Sequence, residues 1–400
     1  MTQSAPEFKV LQSIAFLAVV LQSSLLYTMN QGNVLLEQSL IMGMLFNLAK
    51  FSAPAFIFIV GFHLIRQYTK QLAYTEYIYE KAAHLLIPYF FWSILYLLTT
   101  NDMITLQSGI KSVLLGTAAP HLWYVIMMFQ IHLLFPLLCT LFYWFQKRTE
   151  NKKDIYKYMT IFACLYFLLM WYSSHYIFNG EKLTSSTILH YTDRSFFFYS
   201  FYFVMGGIAA VALKTWRLFV MKHIPLITIL FFILFLFINY ELFSFYGANS
   251  IHLTVSTYLK PSMFLYIVCE IIILYVLSIT IVQRRGFLYK ALRFIGNYTY
   301  GAYLAHFFFL QLCTKFLSLF TLQENTVLYS LLLFTITATI SISAMVICST
   351  LPLHTWITGP SPTTNIKWAK IVLRKHHKKY ANHIFDIIEF HTRKESRIHL

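Results

Sequence analysis

Apolar positions in this chain neither alternate nor keep to one helical face. They run on. From Val10 onward the chain carries stretches of about 20 residues with almost no ionisable side chain, the length an α-helix needs to cross a bilayer. The pattern predicts ten membrane-spanning helices, at 10–29, 45–65, 82–99, 122–145, 156–176, 196–213, 223–245, 261–282, 296–319 and 327–349. The ninth is the least apolar, because it holds Asn297, Thr299, His306, Gln311 and Lys315. The first is expected to stay as an anchor. Its apolar run is too long for a signal peptide, and "YTMNQGN" follows it instead of a small-x-small cleavage site. The fold class read from this pattern is all-α and polytopic.

Composition agrees. The chain is 58% hydrophobic and 12% charged, whereas a soluble domain averages about 45–50% apolar and about 25% charged. Most of its 31 Lys and Arg fall in alternate intervals: Lys9; Arg66, Lys70 and Lys81; Lys147 to Lys157; Lys214, Arg217 and Lys222; Arg284 to Arg293; and the tail. Cytoplasmic loops are enriched in these residues, so both termini are expected on that side, as an even number of spans requires. The net charge of +16 follows from the same asymmetry. With no accompanying motif, nucleic acid is excluded as a partner and membrane lipid is expected. The five cysteines sit in apolar runs at no metal-like spacing and read as packing residues.

Residues 1–350 read as one membrane domain and 351–400 as a basic cytoplasmic tail beginning around "GPSPTT". Ile366, Ala369, Leu373, Tyr380, Ile384 and Ile387 recur at helical spacing among lysines and arginines. That fits an amphipathic helix on anionic lipid, or equally a solvated tail.

An ionisable residue inside a span points to function by default. His306 and Glu270 lie at similar mid-span depths, so the pair is a candidate acid–base couple. His132 and Gln130 share the fourth span, and His63 and Arg66 lie near the inner end of the second. Each has a plainer alternative as a hydrogen-bonded packing residue. Lys50 and Lys315 are read as snorkelling outward. No phosphate-binding glycine loop, H-E-x-x-H or G-x-S-x-G is present, and no metal site is expected.

Four segments in order carry a resemblance: "APAFIFIVGFHLI" (53–65), "YEKAAHLLIPYFFW" (79–92), "HLWYVIMMFQIHLLFPLL" (121–138) and "IGNYTYGAYLAH" (295–306). Together, over about residues 8–349, they resemble the integral-membrane acyltransferases, the third acyltransferase family. The branch they look like contains fucose O-acetylase-like proteins and the intercellular-adhesin polysaccharide modification and export protein. The resemblance implies acyl-CoA as donor, no bound cofactor, a surface glycan or lipid-linked sugar as acceptor, a glycosyltransferase as partner and a bacterial plasma membrane.

In that family the first helix carries an arginine taken as donor anchor and, eleven positions on, a histidine taken as the transfer base. Here "LQSIAFLAVVLQSS" (11–24) places Gln12 and Ser23 at those positions. Neither side chain substitutes chemically, since glutamine carries no charge and serine is no base near neutral pH. Ser23 is a candidate nucleophile only beside a base, and its neighbour Gln22 is not one.

Three readings follow, the first two from the resemblance and the third from the ionisable residues inside the spans. In the first, a membrane acyltransferase has His306 as base with Glu270, and His63, Arg66 and Lys81 near the donor phosphates. Gln12, Gln22, Trp123, Gln130, His132 and Tyr300 are its substrate-binding candidates. The second is a non-catalytic family member that binds or helps export a polysaccharide. The third is an ion-coupled transporter using Glu270, His306 and Lys315.

Overall fold

The computed structural model describes residues 5–31, 34–67, 74–99, 105–148, 152–177, 194–246, 258–317, 325–352 and 354–360. Regular structure among these residues is helical, with no strand. In chain order the helices are α1 (Glu7–Met29), α2 (Leu36–Leu48), α3 (Ser52–Gln67), α4 (Tyr74–Thr99), α5 (Leu106–Leu115), α6 (Trp123–Arg148), α7 (Lys152–Tyr172), α8 (Ser200–Val211), α9 (Leu213–Tyr246), α10 (Pro261–Arg284), α11 (Phe287–Leu317), α12 (Thr326–Cys348) and the short α13 (Thr355–Thr358). A π turn at Ser173–Ile177 extends α7, and a 3₁₀ turn at Phe196–Tyr199 leads into α8. Helices satisfy their own backbone groups, which hydrocarbon demands.

All ten predicted spans fall on helices. Among the described residues, seven stretches are long and apolar enough to cross a bilayer, with α2 and α3 counted as one stretch, Leu36–Gln67. The other three predicted spans lie on α7, on the shorter apolar helix Phe196–Val211 and on α11. The chain is a multi-pass membrane protein.

Four boundaries differ from the sequence reading. The second span breaks at Ala49–Phe51, where α2 ends and α3 begins. Pro54 explains the break: it has no N–H to give the carbonyl four residues back, at Lys50, and its ring would clash there, so the helix restarts with proline in its first turn. Lys50 does not snorkel. It is buried, with Nζ 4.6 Å from the Phe46 ring centroid and 4.5 Å from that of Tyr258. The interval 214–222, expected as a loop, forms the first turns of α9, and α4 and α11 begin at Tyr74 and Phe287, well before their apolar runs. A hydropathy pattern sees only the hydrocarbon-length part of a helix, while charged turns continue it into water.

Packing then sets the bundle. α3 and α8 run in the same direction and cross at two glycines, with Ile65 beside Gly207 and Arg66 beside the end of α8. A Cβ on Gly61 would stand 2.3 Å from the Phe203 carbonyl oxygen, and one on Gly206 would stand 2.0 Å from that of Phe58. Helices meet this closely in membranes through small residues. α1 and α11 run side by side in the same direction. Ser13 Oγ donates to the Leu292 carbonyl at 2.5 Å, Ser23 meets His306, and Thr314 Oγ1 donates to Tyr27 Oη at 3.3 Å. First and ninth crossings of an alternating chain are parallel, as here.

Basic residues assigned to one side by sequence also converge. Glu7 holds Arg217 (Oε1–Nη2 2.6 Å) and accepts from Tyr275 Oη at 3.1 Å. Lys9 shares a cleft with Arg285 and Arg293, and Arg66 shares another with Lys214. Residues 354–360 dock against α4 and α11, with Trp92 Nε1 donating to the Ile357 carbonyl at 3.0 Å. The amphipathic stretch expected beyond residue 365 lies outside the described residues.

Candidate active site

His306 lies mid-way along α11 and is fully buried. Both its ring nitrogens are engaged. Nδ1 is 2.6 Å from the carbonyl oxygen of Tyr303, one helical turn back. A carbonyl only accepts, so Nδ1 carries the proton and Nε2 presents its lone pair. Nε2 faces Ser23 Oγ of α1 at 3.1 Å, and Ser23 is therefore the donor. The parallel contact of α1 and α11 makes this meeting possible. It is close because Gly296 has no side chain: a Cβ there would stand 2.8 Å from Ser13 Oγ and 2.9 Å from the Lys9 carbonyl oxygen.

A second histidine stands behind the first. His121 precedes α6 and is buried, with its ring centroid 4.4 Å from that of His306. Its Nε2 is 3.3 Å from the Leu304 carbonyl oxygen, and its backbone carbonyl accepts from Tyr303 Oη at 2.5 Å. The same tautomer argument leaves His121 Nδ1 with a lone pair, and no hydrogen-bond partner fills it.

Ser23 and His121 line a cavity of about 140 Å³ together with Gln22, Ser52, Tyr124, Tyr258 and Tyr303. Of this lining, Gln22 Nε2, Ser52 Oγ, His121 Nδ1 and Tyr124 Oη are buried polar atoms without a hydrogen-bond partner among the described residues. A buried polar atom left unpaired costs about 1–3 kcal/mol. Four such atoms around one cavity mark a site shaped for a polar occupant. A wider cleft of about 320 Å³, lined by Tyr96, Thr99, Gly116, Arg194, Phe307 and Gln311 among others, shares Pro120 with this cavity.

At the other end of α1 lies a cleft of about 610 Å³, lined by Pro6, Lys9, Val282, Arg285, Tyr289, Arg293 and Asn297. Among the described residues its lining has three cations and no acid. Lys9 Nζ donates to Gln12 Oε1 at 3.4 Å, which puts Gln12 beside this cluster. Lys9 to Ser23 is fourteen residues of unbroken helix, about 21 Å at about 1.5 Å per residue.

The other predicted residues separate into near and far. Trp123 lines the polar cavity. His63 is exposed and neighbours Lys9 and Arg66 at the basic end. Lys81 contacts Glu80 (3.7 Å) and lies 5.6 Å from the Tyr77 ring centroid, away from the basic cleft. His132 is tied by Nδ1 to Tyr77 Oη at 2.6 Å, and Gln130 accepts from the backbone of Phe196 at 3.0 Å. Tyr300 donates to the Leu85 carbonyl at 2.7 Å, joining α11 to α4. These last three are built into packing.

The expected Glu270–His306 couple does not form, because both His306 nitrogens are already taken. Glu270 is buried on α10 against Tyr266, whose hydroxyl also donates to the Asn47 carbonyl at 3.3 Å. Similar depth in two spans does not place two side chains on facing sides of their helices. The sequence reading missed Lys9, Arg285 and Arg293 as a cluster, and His121 as a site residue. For His121 a signal existed, since it opens the segment "HLWY".

Comparison with known families matches residues 6–346 to a family described as an acyltransferase domain. No curated protein and no solved structure matches the chain.

Proposed function

Because this chain belongs to the acyltransferase-domain family, we propose that it moves an acyl group from acyl-CoA to a hydroxyl of a surface or exported glycan, in the manner of the O-acetylating branch it resembles. The overall reaction turns a thioester and an alcohol into an ester and a thiol, so one proton must leave the hydroxyl and one must reach the sulfur. His306 carries that proton. The carrying observation is its geometry: Nδ1 fixed by the Tyr303 carbonyl, and Nε2 directed at Ser23 beside a cavity with unpaired polar atoms.

Two further observations support catalysis over a non-catalytic role. The family's helix-one arginine is Gln12 here, but Lys9, Arg285 and Arg293 stand beside it and offer the cationic field an anionic donor needs. The family's helix-one histidine is Ser23, but a histidine from α11 meets that serine. On this reading the donor phosphates bind at the basic cleft and the acyl arm follows α1 towards Ser23. The acceptor approaches through the cleft lined by Tyr96, Thr99, Phe307 and Gln311, which adjoins the cavity at Pro120. The transporter reading, which needs Glu270, His306 and Lys315 in one pathway, gains no support here, since the His306 ring nitrogens are bonded to Ser23 and Tyr303.

The test is transfer of labelled acetyl or succinyl groups from the CoA thioester to a panel of surface glycans by the purified chain in detergent or liposomes. His306→Gln is expected to lower kcat about 10²–10⁴-fold, the range lost with a general base. A folded His306→Gln variant that transfers at the wild-type rate would remove the proposed role. No transfer from any acyl-CoA by the wild type would leave the non-catalytic, glycan-binding reading.

A further inference from the structure

Resting on that reading, we propose that Ser23 is an acyl carrier: the acyl group passes from the thioester to Ser23 Oγ and from there to the acceptor hydroxyl. The relevant geometry is that of an activated serine. Ser23 Oγ lies 3.1 Å from His306 Nε2, within the reach at which a base activates a nucleophile, and the base is oriented by a third group at 2.6 Å. In hydrolytic triads that third group is a carboxylate; here the backbone carbonyl of Tyr303 sets the tautomer. Ser23 lines the cavity, so its hydroxyl is placed where a carbonyl carbon has to arrive.

The chemistry balances in two steps. First, Ser23 Oγ attacks the thioester carbonyl and its proton passes to His306 Nε2. The C–S bond breaks, the thiolate takes the proton, and acyl-Ser23 and free CoA thiol result. Second, the acceptor hydroxyl attacks the Ser23 ester while its proton passes to His306 Nε2. The ester C–Oγ bond breaks, and Ser23 Oγ takes the proton back. Both tetrahedral intermediates carry an oxyanion, and the spare donors around the cavity include the Gln22 amide and the Tyr124 hydroxyl. His121 has the opposite polarity: its unpaired Nδ1 lone pair suits an incoming hydroxyl, which it would hold for the second step.

This assigns three of the four unpaired atoms of the cavity, those of Gln22, Tyr124 and His121, a partner. It also accounts for a serine where the family has a histidine. A histidine on α1 would act as base itself, whereas a serine there works because the base comes from α11.

An acyl-enzyme makes a prediction that a direct transfer does not. Without any acceptor, the purified chain should exchange labelled CoA into unlabelled acetyl-CoA, because the first step is reversible. Ser23→Ala should abolish exchange and lower glycan transfer by at least about 10²-fold, with thermal unfolding in detergent confirming that it folds. Ser23→Cys is the second variant: it should take up acetyl from acetyl-CoA as a thioester that maps to position 23 and is released by hydroxylamine. The proposal is overturned if the wild type transfers to glycan but shows no acceptor-free exchange. It is equally overturned if Ser23→Ala transfers at the wild-type rate, or if the acyl label maps to a different residue. Each of these leaves the acyltransferase reading standing. Only a wild type that neither exchanges nor transfers with acetyl-CoA or succinyl-CoA removes both.

Discussion

Replacing Arg285 with glycine and Arg293 with glutamine should weaken acyl-CoA binding while leaving the chemistry intact. Arg285 is the C-cap of α10 and holds a left-handed backbone, φ 50° and ψ 20°. Glycine adopts that conformation without the steric penalty that a Cβ meets, so Arg285→Gly removes a charge and relieves backbone strain together. Both arginines are exposed, so the field they exert on a bound phosphate is screened by water. At about 5 Å, each unit-charge pair contributes about 0.8 kcal/mol at an effective dielectric of about 80, and about 1.7 kcal/mol at about 40. One arginine is then worth about 4-fold to 17-fold in KM, and the pair about 16-fold to 300-fold if their free energies add. The assay is KM for acetyl-CoA at fixed acceptor. A truncated acetyl-pantetheine donor, which has the thioester but no nucleotide phosphates, serves as the control. KM for acetyl-CoA should rise in the double variant, kcat should hold, and KM for the truncated donor should not move. Salt provides an independent check: raising ionic strength from about 0.1 M to about 1 M shortens the Debye length from about 10 Å to about 3 Å, so wild-type KM should climb and the double variant's should climb less. A double variant with KM within twofold of wild type, or with the same rise for both donors, would refute the assignment of this cleft to the donor phosphates.

Gln22→Leu should lower kcat by about 10²-fold with little change in KM, since the amide's role is confined to the oxyanion; steady-state kinetics with unchanged thermal unfolding would check it. Glu270→Gln should leave the transfer rate within about threefold, under 1 kcal/mol of barrier, because Glu270 packs against Tyr266 and not His306. Gly206→Ala should destabilise the fold by about 1–3 kcal/mol, read as a lower Tm in detergent, because its Cβ would stand 2.0 Å from the Phe58 carbonyl oxygen. In a cysteine-free background, Glu150→Cys should resist an impermeant maleimide added outside intact cells and react after lysis, as the positive-inside pattern requires.

How much of this protein is legible in its sequence depends on what each feature averages over. Span length, span number and the sorting of cations are sums over many residues, and every predicted span lies on a helix. The same sums locate the basic end, where Lys9, Arg66, Lys214 and Arg217 do gather. Single breaks are less visible: Pro54 stood in plain view, but the run of apolar residues around it hid the restart of the helix at Ser52. The site is a different kind of quantity. Gln12 and Ser23 stood out on α1 only as residues that differ from what the resemblance expected. Depth alone coupled Glu270 to His306, yet depth says nothing about rotation, and a helix face turns by about 100° per residue. The serine–histidine pair exists because α1 and α11 run parallel and Gly296 lets them approach. His121 joins it because the turn before α6 folds back onto Leu304, and Arg285 and Arg293 reach Lys9 because α10 ends beside the start of α1. Composition and periodicity constrain a helix along its axis. Which side chains of two helices touch is decided by crossing and rotation, and those belong to the packed bundle alone.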